Sequence, residues 1–260
     1  MATFLFNEII FGPVKSRRLG VSLGINLLPT KKKICNFNCI YCECGWTRDI
    51  EIVVDRPPSR EEVYKALDIK LADLKKKNHA PDVITYAGNG EPTLHPEFPE
   101  IIDDTLTLRN KYFPEARIAV LSNSTTISNP AIKAALLKVD QNILKLDSVF
   151  KSTIKLHNQP KVDINVEELI NNLTEFNGKV IIQTLFLQGQ HNGKSIDNTT
   201  RVEINGWLKA LEKIKPLEVM IYTISRDTPE GAGLNKVPLT ELKRIAALVE
   251  SIGFRTQVSG

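Results

Sequence analysis

The chain is short of cysteine and histidine, and both shortages narrow its chemistry. All four cysteines, Cys35, Cys39, Cys42 and Cys44, fall within ten positions, with no matching pair downstream. The usual zinc design of two separated C-x2-C pairs is therefore absent, although Cys44 leaves a single four-thiolate zinc loop open. The 4 histidines are scattered, and neither a G-x-S-x-G elbow nor an H-E-x-x-H helix occurs. Nothing supports a hydrolytic triad or a zinc protease. No apolar run approaches the roughly 20 residues that cross a bilayer, since even residues 181–187 are interrupted by Gln183. The amino terminus lacks a basic stretch followed by a long apolar one, so no secretory leader is expected. A soluble, cytoplasmic chain follows, whose thiols stay reduced. Internal duplication, long Gly/Ser linkers and low-complexity segments are also missing, and one domain over residues 1–260 is expected.

With 42% hydrophobic and 25% charged residues, the 260-residue chain can bury a full core. A net charge of +4 leans basic, with Lys31, Lys32 and Lys33 beside the cysteines and Arg17 and Arg18 upstream. That permits an RNA partner without requiring one, because lysine runs such as residues 75–77 are commonly solvated helix ends.

Along the chain, short apolar strands alternate with helical stretches. Strands are predicted over residues 20–28, 83–87, 118–122, 143–147, 180–186 and 219–224. From Ser59, with Glu62 three residues later as a capping box, Val63, Leu67, Leu71 and Leu74 recur at helical spacing to about residue 78. Further helices are predicted over 97–110, 130–139, 166–177, 200–214 and 240–251. Six strand–helix units predict an α/β fold on a parallel sheet, either doubly wound or curled into a barrel. Residues 1–18 read as an amino-terminal extension and 29–58 as the cysteine loop region.

Cys35, Cys39 and Cys42 form a C-x3-C-x2-C run with Tyr41 before the last thiol. Three thiolates offer a four-iron cluster one ligand too few, which leaves an iron open to substrate or cofactor. The spacing and the aromatic resemble the signature of radical S-adenosylmethionine (SAM) enzymes. That resemblance implies a partial (β/α)6 barrel of TIM type. It further implies a [4Fe-4S] cluster on Cys35, Cys39 and Cys42, SAM across the carboxyl ends of the strands, and a one-electron reductant such as flavodoxin or ferredoxin. Bound SAM is then cleaved to methionine and a 5′-deoxyadenosyl radical that abstracts hydrogen from the substrate, while the protein orients and excludes water.

The resemblance extends to the strand ends. Asn89, Gly90, Glu91 and Pro92 stand where the family has Gly-Gly-Glu-Pro, whose backbone and acid hold the amino group of SAM. Read alone, this stretch is an Asn-Gly turn with Glu91 capping the next helix. Ser122 and Asn123 resemble a Ser/Thr-Asn-Gly turn with Ser124 at the usual glycine. Lys145 and Asp147 lie two apart on one strand face and need partners if buried; they suit the SAM carboxylate and ribose, or else pair with each other. Tyr41 is expected to pack on the cluster with its backbone near the adenine. His79 and His95 read as surface or capping residues, and His157 as able to face the site. His191, in the polar loop 188–194, and Arg226 lie where substrate should approach. Cys44 reads as a small buried residue.

Residues 11–20, 22–26, 145–147 and 221–226, with Thr228, Pro229, Lys236 and Val237, resemble the tRNA wyosine-synthesis branch. That branch carries a second cluster on three upstream cysteines, whereas nothing precedes Cys35 here, so a second cluster of that kind is not expected. The implied substrate is a tRNA base first and a protein or peptide partner second. A zinc-stabilised RNA- or protein-binding module without catalysis is the alternative.

Overall fold

The computed structural model describes residues 4–47, 56–226, 228–229 and 233–260. An eight-stranded sheet runs β1 (Ile10–Ser16), β2 (Gly20–Ile25), β3 (Val83–Tyr86), β4 (Arg117–Ser122), β5 (Gln141–Lys145), β6 (Ile181–Leu185), β9 (Glu218–Tyr222) and β11 (Arg255–Ser259), in that spatial order. Only β1 is antiparallel to its neighbour. The sheet curls into a half-barrel, one of the two forms that the six strand–helix units left open and the one that the resemblance implied.

The helices are α1 (Arg60–Lys76), α2 (Phe98–Tyr112), α3 (Pro130–Leu136), α4 (Lys151–His157), α5 (Val166–Thr174), α6 (Arg201–Ile214) and α7 (Leu239–Ser251). The capping box at α1 forms on both sides: Ser59 Oγ accepts from Glu62 N, and Glu62 accepts from Ser59 N at 2.7 Å. Val63, Leu67, Leu71 and Leu74 are buried as their spacing required, each contributing about 1.5–3 kcal/mol of burial.

Three differences from the sequence reading matter. The amino-terminal extension supplies β1, and residues beyond the last predicted helix supply β11. The loop 188–194 is a hairpin of β7 (Leu187–His191) and β8 (Lys194–Asp197), joined by β10 (Leu234–Lys236) in a separate three-stranded sheet. Finally, α4 lies between the fourth predicted strand and α5, in a stretch too short and polar to announce a helix by periodicity. Part of the loop region 29–58 lies outside the described residues. No helix among the described residues is long and apolar enough to cross a membrane.

Strand side chains alternate, so each strand serves two environments. On the helix-covered face, Ile84, Ile118, Val120, Leu144, Ile182, Val219 and Ile221 join the main core. On the concave face, Val83, Ala119, Ile143, Ile181 and Met220 form an apolar floor with Leu19 from the β1–β2 turn. Two residues further along that face stand Thr85, Leu121, Lys145, Gln183 and Tyr222, mostly polar. The cysteine loop covers this rim, with Phe37, Cys39, Ile40 and Tyr41 packed against Leu185, Leu187, Ile196 and Leu234.

Candidate functional site

The cysteine loop is tied to the turn after β3 as if it were a further strand. Ile34 N donates to Asn89 O at 2.9 Å and Glu91 N to Ile34 O at 3.0 Å. Gly90 makes this approach possible: its φ is +135°, and a Cβ there would stand 1.7 Å from the Ile34 carbonyl oxygen. The close approach that Gly90 allows is thus made by the loop's own backbone.

All four cysteines are free. Each of the three expected ligands has a donor or cation beside it. Cys35 Sγ accepts from Phe37 N at 3.4 Å and lies 3.6 Å from Asn123 Nδ2; Cys39 Sγ accepts from Asn158 Nδ2 at 3.5 Å. Buried Lys33 sits among the thiols and donates to Gly45 O at 2.8 Å. Burial opposes its charge, but Cys42, then Cys35 and Cys39, outweigh that and hold the ammonium above its ordinary value. Burial, then the Glu91 carboxylate, pushes Cys35 up to about 12, and burial raises Cys39. Cys42 is brought down to about 5 by the Cys44 thiol first, with Lys33 also helping against burial. Half-buried Cys44 therefore acts as a neighbour of Cys42; its Sγ is also 3.3 Å from Gly88 O. Raised thiols do not prevent ligation, because a coordinating metal removes the proton outright.

Glu91 is fully enclosed, and burial raises its carboxyl above the ordinary range against its hydrogen bonds. One oxygen accepts from Thr93 Oγ1 at 2.6 Å and Thr93 N at 3.2 Å; the other accepts from Asn123 N at 2.6 Å. It caps the short 3-10 turn Pro92–Leu94, as the plain reading of the turn had it, and also locks the β3 and β4 turns together. Asn89 is spent on the scaffold: its amide donates to Phe6 O and Pro29 O, both at 2.8 Å, and accepts from Phe6 N. Ser122 Oγ accepts from Ser124 N, while Asn123 Nδ2 donates to Asn36 Oδ1 at 2.6 Å. Ser124 takes φ +70°, the left-handed conformation that explains why glycine suits this position.

Lys145 and Asp147 do meet, at 3.5 Å. Asp147 accepts from Leu185 N at 2.9 Å, Asn158 Nδ2 at 2.7 Å and the Tyr41 hydroxyl in a short contact. Lys145 Nζ donates to Tyr222 OH at 3.0 Å. Burial opposes its charge, yet Asp147, then Tyr222 and Cys39, outweigh that and hold it above its ordinary value. Phe37, Asn123, Lys145, Asp147 and Asn158 line a cavity of about 10 Å³, room for one water. Asn158, Asn36, Lys33, Tyr222 and Arg18 were not singled out from sequence as parts of this site. Lys33 and Arg18 left a trace there as members of basic clusters, and Tyr222 as part of the stretch 221–226.

His191 is buried, its ring 6.4 Å from that of Trp46 and hydrogen-bonded to Gln159 and Asn192. Exposed Arg226 pairs with Glu43 of the cysteine loop at 2.7 Å. His157 is buried, its Nδ1 has no partner among the described residues, and burial lowers its pKa; its backbone carbonyl accepts from Ile40 N. His95 is buried rather than on the surface, and accepts from Glu97 N, a capping contact. His79 is exposed.

Among the described residues, no three His, Cys, Asp or Glu side chains converge as a single-ion site. The three thiols share one loop, each with a donor or cation beside it. The chain is similar in sequence and in fold to known proteins. A UPF0026 protein of Helicobacter pylori (strain ATCC 700392 / 26695) is 33% identical over 94% of this chain and 74% of its own length. A protein named GTPase Obg from Brachyspira hyodysenteriae is 31% identical over 90% of this chain, which spans only 33% of that relative's length. The fold is similar to that of a radical SAM methyltransferase from Sphaerobacter thermophilus, with TM-score 0.67 and 12% identity over 92% of this chain and 65% of that one. The radical SAM superfamily profile matches residues 32–202, which carry both the thiols and the strand-end turns just described, and the chain belongs to that superfamily.

Proposed function

We propose that this chain is a radical SAM enzyme with one [4Fe-4S] cluster on Cys35, Cys39 and Cys42. The observation that carries the reading is the set of three thiols on one buried loop, each with a donor or cation beside it, roofing the carboxyl ends of the half-barrel strands. When bound there, the reduced cluster and SAM supply a 5′-deoxyadenosyl radical for hydrogen abstraction. Lys33 offsets thiolate charge, and Asn123 and Asn158 orient sulfur atoms. Glu91 and Asn123 couple the two turns on which SAM would rest, while Lys145, Asp147 and Tyr41 offer complementary groups to its carboxylate and ribose. These groups are satisfied by one another around a very small cavity, so they would give up internal hydrogen bonds to hold SAM.

Anaerobic reconstitution with iron and sulfide, reduction, addition of SAM and assay of 5′-deoxyadenosine test the reading, with Cys39→Ala beside the wild type. Product is expected from the wild type and lost in the variant; product retained by Cys39→Ala refutes it. A tRNA base is the first candidate substrate, supported by the +4 charge and the basic stretch beside the cysteines. It predicts tRNA binding that weakens steeply with salt, and salt-insensitive or absent binding turns the assignment to a protein or peptide.

A further inference from the structure

One cation on the concave face has no role in the account above. Arg18, half-buried in the β1–β2 turn, points over the floor into the rim. Its guanidinium stacks 4.5 Å from the Tyr222 ring centroid and donates to Gln183 Oε1 at 3.0 Å. Lys145 donates to the hydroxyl of the same tyrosine. Two cations therefore flank Tyr222, and among the described residues only one carboxylate serves them: Asp147 is engaged by Lys145, Tyr41, Asn158 and Leu185 N. Arg18 has no carboxylate partner among the described residues. An arginine held inside a barrel against an aromatic and a neutral amide keeps most of its forked donors for an anion.

The turn is also built to hold that side chain still. Ser16 Oγ accepts from Arg18 N and Leu19 N, Gln257 donates to Arg18 O at 2.8 Å, and Arg117 donates to Leu19 O at 3.1 Å. Arg17 reaches across the open side of the half-barrel to Gly260 O at 3.0 Å and Ser225 Oγ at 2.6 Å, fastening the β1 edge to residues beyond β9 and β11. Such preorganisation lowers the cost of binding.

We propose that Arg18 is an anion-binding residue of the half-barrel interior, where it holds a carboxylate or phosphate group of the substrate below the cofactor. The proposal rests on the radical SAM reading for the word substrate, but its binding test does not need turnover. Cluster-loaded wild type, Arg18→Gln and Arg18→Lys are titrated calorimetrically with inorganic phosphate and, separately, with malonate, against chloride at matched ionic strength. Saturable binding of one anion to the wild type is expected, and the tighter one names the chemical source. Arg18→Gln weakens it by about tenfold or more, as for loss of a charged hydrogen bond. Arg18→Lys retains part of it. In wild type alone, saturating SAM leaves the anion affinity unchanged within about twofold, a readout that needs no variant to fold. No saturable binding, or binding unchanged in Arg18→Gln, overturns the proposal. So does competition between the anion and SAM, which puts Arg18 at the cofactor's own carboxylate. A chain that binds the anion through Arg18 yet gives no 5′-deoxyadenosine refutes the enzymatic reading and leaves the site standing.

Discussion

Ile143 and Lys145 leave the same face of β5 two residues apart, yet one belongs to an apolar floor and the other carries a buried charge. The same step separates Ile181 from Gln183 on β6 and Met220 from Tyr222 on β9. The floor holds together by non-directional burial, which any well-fitting apolar side chain supplies. The rim is held by directed contacts in which several donors share one acceptor, Asp147, so losing that member leaves others buried and less satisfied. One concave surface is thus divided along the strand into an apolar floor and a rim that carries polar and charged groups.

Removing the rim carboxylate should break that division most severely. Asp147→Ala strips Lys145, Tyr41, Asn158 and Leu185 N of their acceptor at once, and about 3–5 kcal/mol of stability is expected to go, measured by anaerobic guanidinium unfolding. A loss below 1 kcal/mol would mean that water or neighbouring groups replace it. On the floor, Ile143→Ala should cost about 2–5 kcal/mol through its cavity. Its SAM affinity should stay that of the wild type by calorimetry, and a parallel fall in SAM affinity would erase the distinction between floor and rim. The smallest effect concerns His157, whose pKa burial lowers. Stability from its neutral ring is complete above the ordinary value of about 6.5 and is lost as pH falls through the lowered folded value, at no more than about 1.4 kcal/mol per pH unit. The unfolding free energy of His157→Gln should be flatter over that window; superimposable pH profiles would remove His157 as its source.

Much of this was legible in the chain. The period-3.6 run of α1, its capping box and the six apolar strands were readable because local propensity and burial agree there. The thiol triplet was readable because a short loop puts its ligands close in sequence. Less legible were β1, which reads as an extension until β2 pairs with it, and the β7–β8 hairpin, whose polar residues read as loop until its edge meets β10. Asn158 and Arg18 were not legible as site residues because Cys39 and Gln183, which they bond, are 119 and 165 positions away.

By itself the sequence determined the alternation of strands and helices, the single crowded cysteine loop and the presence of charged residues on an otherwise apolar strand, all of which are local patterns. Only the tertiary structure decided that Lys145 answers Asp147, that Glu91 also accepts from Asn123 N in the next turn, and that Arg18 enters the barrel without a carboxylate partner among the described residues. Those outcomes depend on which strand ends the curled sheet brings within hydrogen-bonding distance. Curvature and register are collective properties of all the packed elements, whereas a residue's spacing to its neighbours reports only the element it belongs to.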